Sequence, residues 1–432
     1  MTLDVELFYD ERWMRVRQTV SLDNTSPDTW DEVVFNAPIN AVPDAFYLDR
    51  VVVTMGDTVQ EGTPPLFGTE TVLRVPLPRS AAPGEAVHIQ MSYRVVIPPL
   101  APTDWPPVGT TGWREGLIQA GEWYPALVPY IDGEGWQTWE YRPVGDPTIY
   151  PLVNTGLTVT AREGVTVASG GALGGSENGV WRFAVPAGRG IAFMASDMYR
   201  SIEGEANGIP ISSFYLPAHD AAGRAALEIA RQSIELWEEL YGPYPYTSLT
   251  VAENGFFGAM EYSALITITD YAYATYYDRS PSLLAALVAH ETAHQWWYGA
   301  VGNDQPHEPW LDEALAFYSE LLYFERYDPG STDWWWERRV NVYNPHGPVD
   351  ATIYSYDESS AFITSMYGQS ARFIQDLRDL MGDRAFFAFL RDYYTTYSGD
   401  FATGADFKRM AMDHSAADLS PLFESYFANP QP

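Results

Sequence analysis

Ser280-Pro281-Ser282-Leu283-Leu284-Ala285-Ala286-Leu287-Val288-Ala289-His290-Glu291-Thr292-Ala293-His294 is the stretch on which the reading of this chain turns. The run into His290 predicts a helix that Ser280 can cap, with Pro281 in its first turn and Gly299 available to end it. Two histidines four apart on a helix project from one face, so both imidazoles can bind a single ion. Glu291 between them then faces a water on that ion. In this composition such a His-Glu-x-x-His arises by chance on the order of once per hundred chains, so a third ligand is the informative question. Catalytic zinc usually keeps three protein ligands and one open position. After eighteen intervening residues His294 is followed by Glu313, in a run from Glu308 to Glu320 whose apolar spacing and Pro309 predict a second helix. Glu313 can therefore complete a zinc site, one ion per chain. Glu320, seven residues further on the same face, is positioned to hydrogen-bond a metal-binding histidine.

Around this centre the bulk numbers set limits. At 432 residues the chain exceeds what one core usually serves, and with 46% hydrophobic and 15% aromatic residues it can build real cores. A formal charge of -32, with Lys408 the lone lysine and no basic cluster, argues against nucleic acid and anionic lipid as partners. There is no cysteine, hence no disulfide and no thiolate ligand. No apolar run approaches the roughly 20 residues of a transmembrane helix, and Met1 leads into a strand-like segment with no signal peptide. The acidic, cysteine-free composition and abrupt start favour a place outside the cytoplasm, any signal being absent from this chain, with the cytoplasm as the alternative.

The first two hundred residues read as all-β. Leu3 to Tyr9, Met14 to Leu22, Val51 to Met55, Val72 to Leu77, Val87 to Ile97 and Leu157 to Thr160 are strand-like and separated by Gly, Pro, Asn and Asp. Trp105 to Pro125 reads as an irregular Pro- and Trp-rich loop that includes Gln119 and Glu122. Composition changes near Glu203 to Pro210. Ala226, Ala230, Ile234, Trp237 and Tyr241 then mark an amphipathic helix from Asp220 to Tyr241, followed by β-rich segments at Ser248 to Ala252 and Ala264 to Thr269. Trp334-Trp335-Trp336 reads as packing or pocket wall. Phe373, Leu377 and Leu380 predict one helical face, Asp383 a cap, Thr403 to Asp406 a capping box, and Leu419 to Phe427 a last helix. The expectation is a two-domain chain: an N-terminal all-β, sandwich- or saddle-like domain over 1–203, and an α/β domain over 204–432 with a mainly helical C-terminal half.

Four motifs taken together carry a resemblance: Gly258-Ala259-Met260-Glu261-Tyr262, His290 to His294, Trp310-Leu311-Asp312-Glu313, and Tyr367-Gly368-Gln369-Ser370. In order and spacing the chain resembles the gluzincin aminopeptidases, the alanyl aminopeptidase (aminopeptidase N) family, over essentially its whole length. The resemblance implies a thermolysin-like catalytic domain behind a β domain. By position it implies His290, His294 and Glu313 as zinc ligands, Glu291 as general base, Tyr367 as oxyanion stabiliser, and Glu261, in the strand begun by Gly258, Ala259 and Met260, as anchor for a peptide's free amino end. Gln119 corresponds to a residue that helps bind that end. Tyr262 stands where the family has asparagine, and Gln369 where it has lysine. The chain stops where many relatives continue into a large helical domain, which implies a short form with a more open site.

Peptides with free amino termini are thus the expected substrates. An open-cleft zinc endopeptidase and a non-catalytic, zinc-stabilised binding protein are the alternatives; a binding protein has no need to keep Glu291 and Tyr367. The remaining histidines, His88, His219, His307, His346 and His414, show no metal spacing and read as surface or structural. Side-chain preference and oligomeric state have no signature in the sequence.

Overall fold

Strict alternation builds the first sheets: strand Trp13–Asp23 buries Met14, Val16, Gln18 and Val20 and turns Arg15 and Arg17 outward. The buried amide of Gln18 is satisfied, accepting from the Tyr93 hydroxyl at 2.9 Å and donating to the Pro125 carbonyl at 2.7 Å. In the computed structural model, residues 1–62, 70–101, 110–277, 281–356, 362 and 364–431 are described, without the side chains of 174–176. The chain divides into two compact units. The first comprises Met1–Tyr141, Thr148–Tyr199 and Asn254–Phe257; the second comprises Arg142–Pro147, Arg200–Glu253 and Gly258–Pro432.

Among the described residues the regular structure of the first unit is strand, apart from one 3-10 turn at Pro38–Ala41. Its largest sheet has eight strands in the order Ala172–Glu177, Val180–Gly188, Val153–Thr160, Thr2–Phe8, Trp13–Asp23, Ala86–Val96, Phe46–Met55, Thr58–Gly62. One neighbouring pair, Thr2–Phe8 with Val153–Thr160, is parallel. Trp105 to Gly109 lie outside the described residues, but the rest of that supposed loop is not irregular. Thr111–Arg114 and Leu117–Ala120 pair as strands of a four-stranded sheet with Phe193–Ser196 and Thr166–Ser169. The proline and tryptophan content of the segment hid two strands of four residues each, too short for alternation to register.

The second unit starts with a hairpin, Arg200–Ala206 and Ile209–Tyr215. Asn207 and Gly208 join the strands with φ of 48° and 84°, the left-handed pair that two-residue hairpin turns favour. Helix Asp220–Leu240 then crosses over to strand Leu249–Asn254, which lies parallel to Ile209–Tyr215. Its apolar face buries Ala226, Ala230, Ile234 and Trp237. The five-stranded sheet ends on Leu265–Thr269 and, at its edge, Ala259–Tyr262. The helices Leu283–Ala293, Trp310–Tyr327, Ser370–Met381, Asp383–Tyr397, Gly404–His414 and Ser420–Tyr426 give this unit its helical half.

Helix ends differ in detail from expectation. Ser280 lies outside the described residues; Ser282 caps the histidine helix by accepting from the Ala285 amide at 3.2 Å, and Pro281 precedes the helix. Phe373 and Leu377 are buried but Leu380 is 50% exposed, so the apolar face runs through Ile374 instead. Gly382, with φ 74°, occupies the position before the next helix, and Asp383 begins it while accepting from Arg378 at 2.7 Å. Thr403 and Asp406 form the expected reciprocal capping box.

Candidate metal centre

The histidine helix is apolar around nearly its whole circumference and buried, which sets His290 and Glu291, with His294 at its C-cap, in the interior of the second unit. Nδ1 of His294 donates to the Trp297 carbonyl at 2.9 Å. Nδ1 of His290 faces Glu320 Oε1 at 3.2 Å, an ion-pair distance that lacks hydrogen-bond alignment. With the hydrogen of each neutral ring on Nδ1, each Nε2 offers a lone pair. Those two Nε2 atoms lie 3.1 Å apart. Glu313 Oε2, from helix Trp310–Tyr327, is 3.3 Å from that of His290 and 3.6 Å from that of His294.

Tetrahedral zinc with arms of about 2.0–2.1 Å separates its ligand atoms by roughly 3.3 Å, and the three distances bracket that value. Glu313 Oε2 is buried with no hydrogen-bond partner, an orphaned acceptor at the point where a cation would sit. Two imidazoles and a carboxylate are the right donor chemistry for zinc, so the residues fit the ion. His290, His294 and Glu313 each offer an atom within 4.8 Å of the others, and so do Glu261, Glu291 and His294.

The charge balance also favours a cation. Glu261, Glu291, Asp312, Glu313 and Glu320 are all buried. Burial works against charge on both histidines, yet the carboxylates outweigh it: Glu313 and Glu320 for His290, Glu261 and Glu313 for His294. Taken on protein groups alone, both titrate up at about 9. Burial first and Glu261 second push Glu291 well above the ordinary carboxylate range, and burial raises Glu261. Burial would raise Glu313 too, but the two histidines hold it well below its usual value.

Around this centre the supports come from distant parts of the chain. Glu320 accepts from Arg339 Nε and a terminal nitrogen at 2.8 and 2.6 Å and from Trp335 Nε1 at 2.8 Å. Trp335 is therefore a partner of a specific carboxylate and not only packing. Tyr367, on a π-helical stretch Thr364–Gln369, donates to Glu313 Oε1 at 2.6 Å. Burial, reinforced by Glu313, keeps that hydroxyl protonated far above the ordinary tyrosine range. Asp312 accepts from Asn303 at 3.1 Å and Gln305 at 2.9 Å; burial pushes it up to about 7.

Strand Ala259–Tyr262 carries Glu261 to the cluster from the sheet edge, with Gly258 immediately before it. Gln119 belongs to the first unit, buried on Leu117–Ala120. Arg339 and Trp335 have no sequence signal, because they reach Glu320 across irregular turns. Asp312 adjoins Glu313, but on a helix adjacent residues point apart, so spacing assigns it no part.

Comparison with known proteins agrees with this geometry. The model of the peptidase family M1 domain matches residues 225–426, the span that holds Glu261, both histidines, Glu313 and Tyr367. Over those residues the chain is similar to peptidase family M1. Probable aminopeptidase 2 of Sulfurisphaera tokodaii is 27% identical over 55% of this chain and 32% of its own length. Aminopeptidase N of Streptomyces lividans is 27% identical over 56% of this chain and 31% of its own. The M1 match thus spans about a third of the length of these relatives. Likeness of fold extends further than the sequence match. A mutant M1 zinc metallopeptidase from Deinococcus radiodurans superposes with a TM-score of 0.71 at 17% identity, covering 100% of this chain and 94% of that one. The unmutated form gives 0.68 at 19%, covering 96% and 89%. Among the described residues, no helix is long and apolar enough to cross a membrane.

Proposed function

We propose that this chain is a zinc-dependent aminopeptidase, with a β domain that ends before strand Arg200–Ala206 and a catalytic half that begins with it. His290, His294 and Glu313 hold one zinc ion per chain. When bound, zinc polarises the scissile carbonyl and lowers the pKa of a coordinated water from about 15.7 toward about 7. Glu291, whose buried Oε2 has no hydrogen-bond partner, takes the proton of the attacking water and passes it to the leaving amine. The Tyr367 hydroxyl donates to the oxyanion that develops on the carbonyl oxygen, and Glu320 with Arg339 orients His290.

The observation that carries the choice of an amino end is Glu261. Its carboxylate lies within 4.8 Å of that of Glu291 and of a ring nitrogen of His294, a fixed short step from the base. Buried carboxylates repel one another, and a peptide's terminal ammonium would relieve that charge while setting the first peptide bond beside Glu291. The edge strand Ala259–Tyr262 can take up the peptide as an added strand, with Gly258, Ala259 and Met260 lining it. A neighbouring M1 structure was solved with Tyr-Ser-Ala substrate. The -32 charge keeps nucleic acid out of the partner set, and the acidic, cysteine-free composition favours a location outside the cytoplasm.

The test pairs a free-amine peptide with its N-acetylated twin. Much slower cleavage of the blocked peptide is expected, and equal rates would replace the reading with an open-cleft endopeptidase. Glu291→Gln is expected to retain zinc and lose turnover. A wild type that binds zinc and cleaves nothing in a peptide library sinks the enzyme reading altogether. Fractionation of the source cells tests the location.

A further inference from the structure

Gln295 follows the second histidine and is fully buried, yet its side chain points away from the metal centre to the hairpin that carries Glu261. Its Oε1 accepts from the Ala264 amide at 2.8 Å, and its Nε2 donates to the Tyr262 carbonyl at 3.3 Å. Strands Ala259–Tyr262 and Leu265–Thr269 are joined by Ser263 and Ala264, the latter at φ 59°. Two-residue hairpins favour Asn-Gly or Gly at such turns, so an alanine held left-handed here needs support from outside the hairpin. Tyr246 supplies more of it, donating to Ser263 Oγ at 3.1 Å.

The histidine helix ends so that this contact can form. Amides of Gly299, Ala300 and Val301 reach back five residues to the carbonyls of His294, Gln295 and Trp296 at 2.8, 3.0 and 2.9 Å. A Cβ on Gly299 would lie 2.6 Å from the Gln295 carbonyl oxygen and 2.9 Å from the Tyr246 hydroxyl, so this close return needs glycine. One short segment therefore supplies a metal-binding nitrogen through His294 and a two-point grip on the Glu261 hairpin through Gln295.

We infer that Gln295 is a positioning residue that sets the distance between Glu261 and the His290–His294–Glu313 centre, and so the register in which a peptide's amino end is measured against the base. The inference rests on the aminopeptidase reading and deepens it. Misplacement of a binding group by about 1 Å can cost on the order of a hundredfold in rate.

Gln295→Met keeps the length of the side chain and removes both contacts. On the free-amine peptide its kcat/KM is expected to fall about 10- to 100-fold with zinc stoichiometry unchanged. In a Glu261→Gln background most of that loss disappears, because the two residues act through one another. Amide hydrogen exchange at Ala264 and along Ala259–Tyr262 quickens in the same variant. Equal losses in the two backgrounds, loss of bound zinc, or unchanged exchange at Ala264 each overturn the inference. Should Gln295→Met not fold, Gln295→Leu, which also removes both contacts without burying a charge, is read in the same cycle; additive losses there overturn it equally. A wild type that cleaves free and acetylated peptides alike overturns the aminopeptidase reading and not the grip, which the exchange measurement reads by itself.

Discussion

Arg339 grips Glu320 through two N–H···O bonds of 2.8 and 2.6 Å, the carboxylate fully buried and the arginine side chain 16% exposed. Burial alone would raise the Glu320 pKa, and the guanidinium instead brings it down to about 2. The carboxylate facing His290 is thereby kept ionised. Removing one member of a buried pair leaves the other charge uncompensated, at about 3–5 kcal/mol. Arg339→Met is expected to lose stability on that scale in urea unfolding. Zinc affinity, measured by competition with a chelator, should fall about 10- to 100-fold as His290 loses its orienting partner. Unchanged affinity would separate Glu320 from the metal site.

The hydroxyl of Tyr367 sits on a proposed metal ligand, Glu313, at 2.6 Å. Tyr367→Phe keeps the ring and removes that donor. If the hydroxyl turns to the oxyanion in the reaction, kcat falls about 10²- to 10³-fold with zinc content unchanged. A loss of zinc with normal kcat per bound ion would instead make the tyrosine a support for Glu313 alone.

A pH-dependent element lies far from the metal centre. His414 ends helix Gly404–His414, with Nδ1 on the Met410 carbonyl at 2.9 Å and Nε2 on Asp392 at 2.7 Å. Burial lowers its pKa, but those two acceptors outweigh burial and the net shift is upward from 6.5. A cation at a helix C-terminus is favoured further by the helix dipole. Because the folded pKa is raised, this stabilisation is fully present below the unfolded value of about 6.5 and is lost as pH rises through the folded pKa. Asp392→Asn is therefore expected to lower the Tm at pH 5.5 and to leave it nearly unchanged at pH 9. Parallel melting curves across that range would contradict the assignment.

Thr403 accepts from the Asp406 amide while Asp406 accepts from the Thr403 amide, so two otherwise orphaned donors at one helix start are satisfied. Thr403→Ala should cost about 1 kcal/mol in denaturant unfolding with catalysis intact. A neutral result would mean that solvent replaces the cap without loss.

How much was legible in the sequence follows from how local each feature is. His290 and His294 could be paired because helical geometry puts residues four apart on one face, and Glu313 could be joined to them because its own run starts a second helix. Strand Trp13–Asp23 and the Thr403 capping box were legible for the same reason: a fixed period or a three-residue offset. Asn207-Gly208 carried an equally local hairpin signal, which the composition change around it obscured. Glu261 and Tyr367 were legible only as parts of a resemblance, since nothing in their own spacing directs them to the histidines.

The sequence by itself thus determined which three residues are proposed as zinc ligands, the β-then-helical order of the chain and its main elements, all consequences of covalent geometry repeating at short range. Only the tertiary structure decided that Arg339 and Trp335 hold Glu320, that Tyr367 rests on Glu313, that strand Ala259–Tyr262 forms a sheet edge, and that Gln295 reaches the Glu261 hairpin. Those pairings join side chains on separate elements. Their choice depends on how helices and strands pack against one another, which no period along the chain encodes.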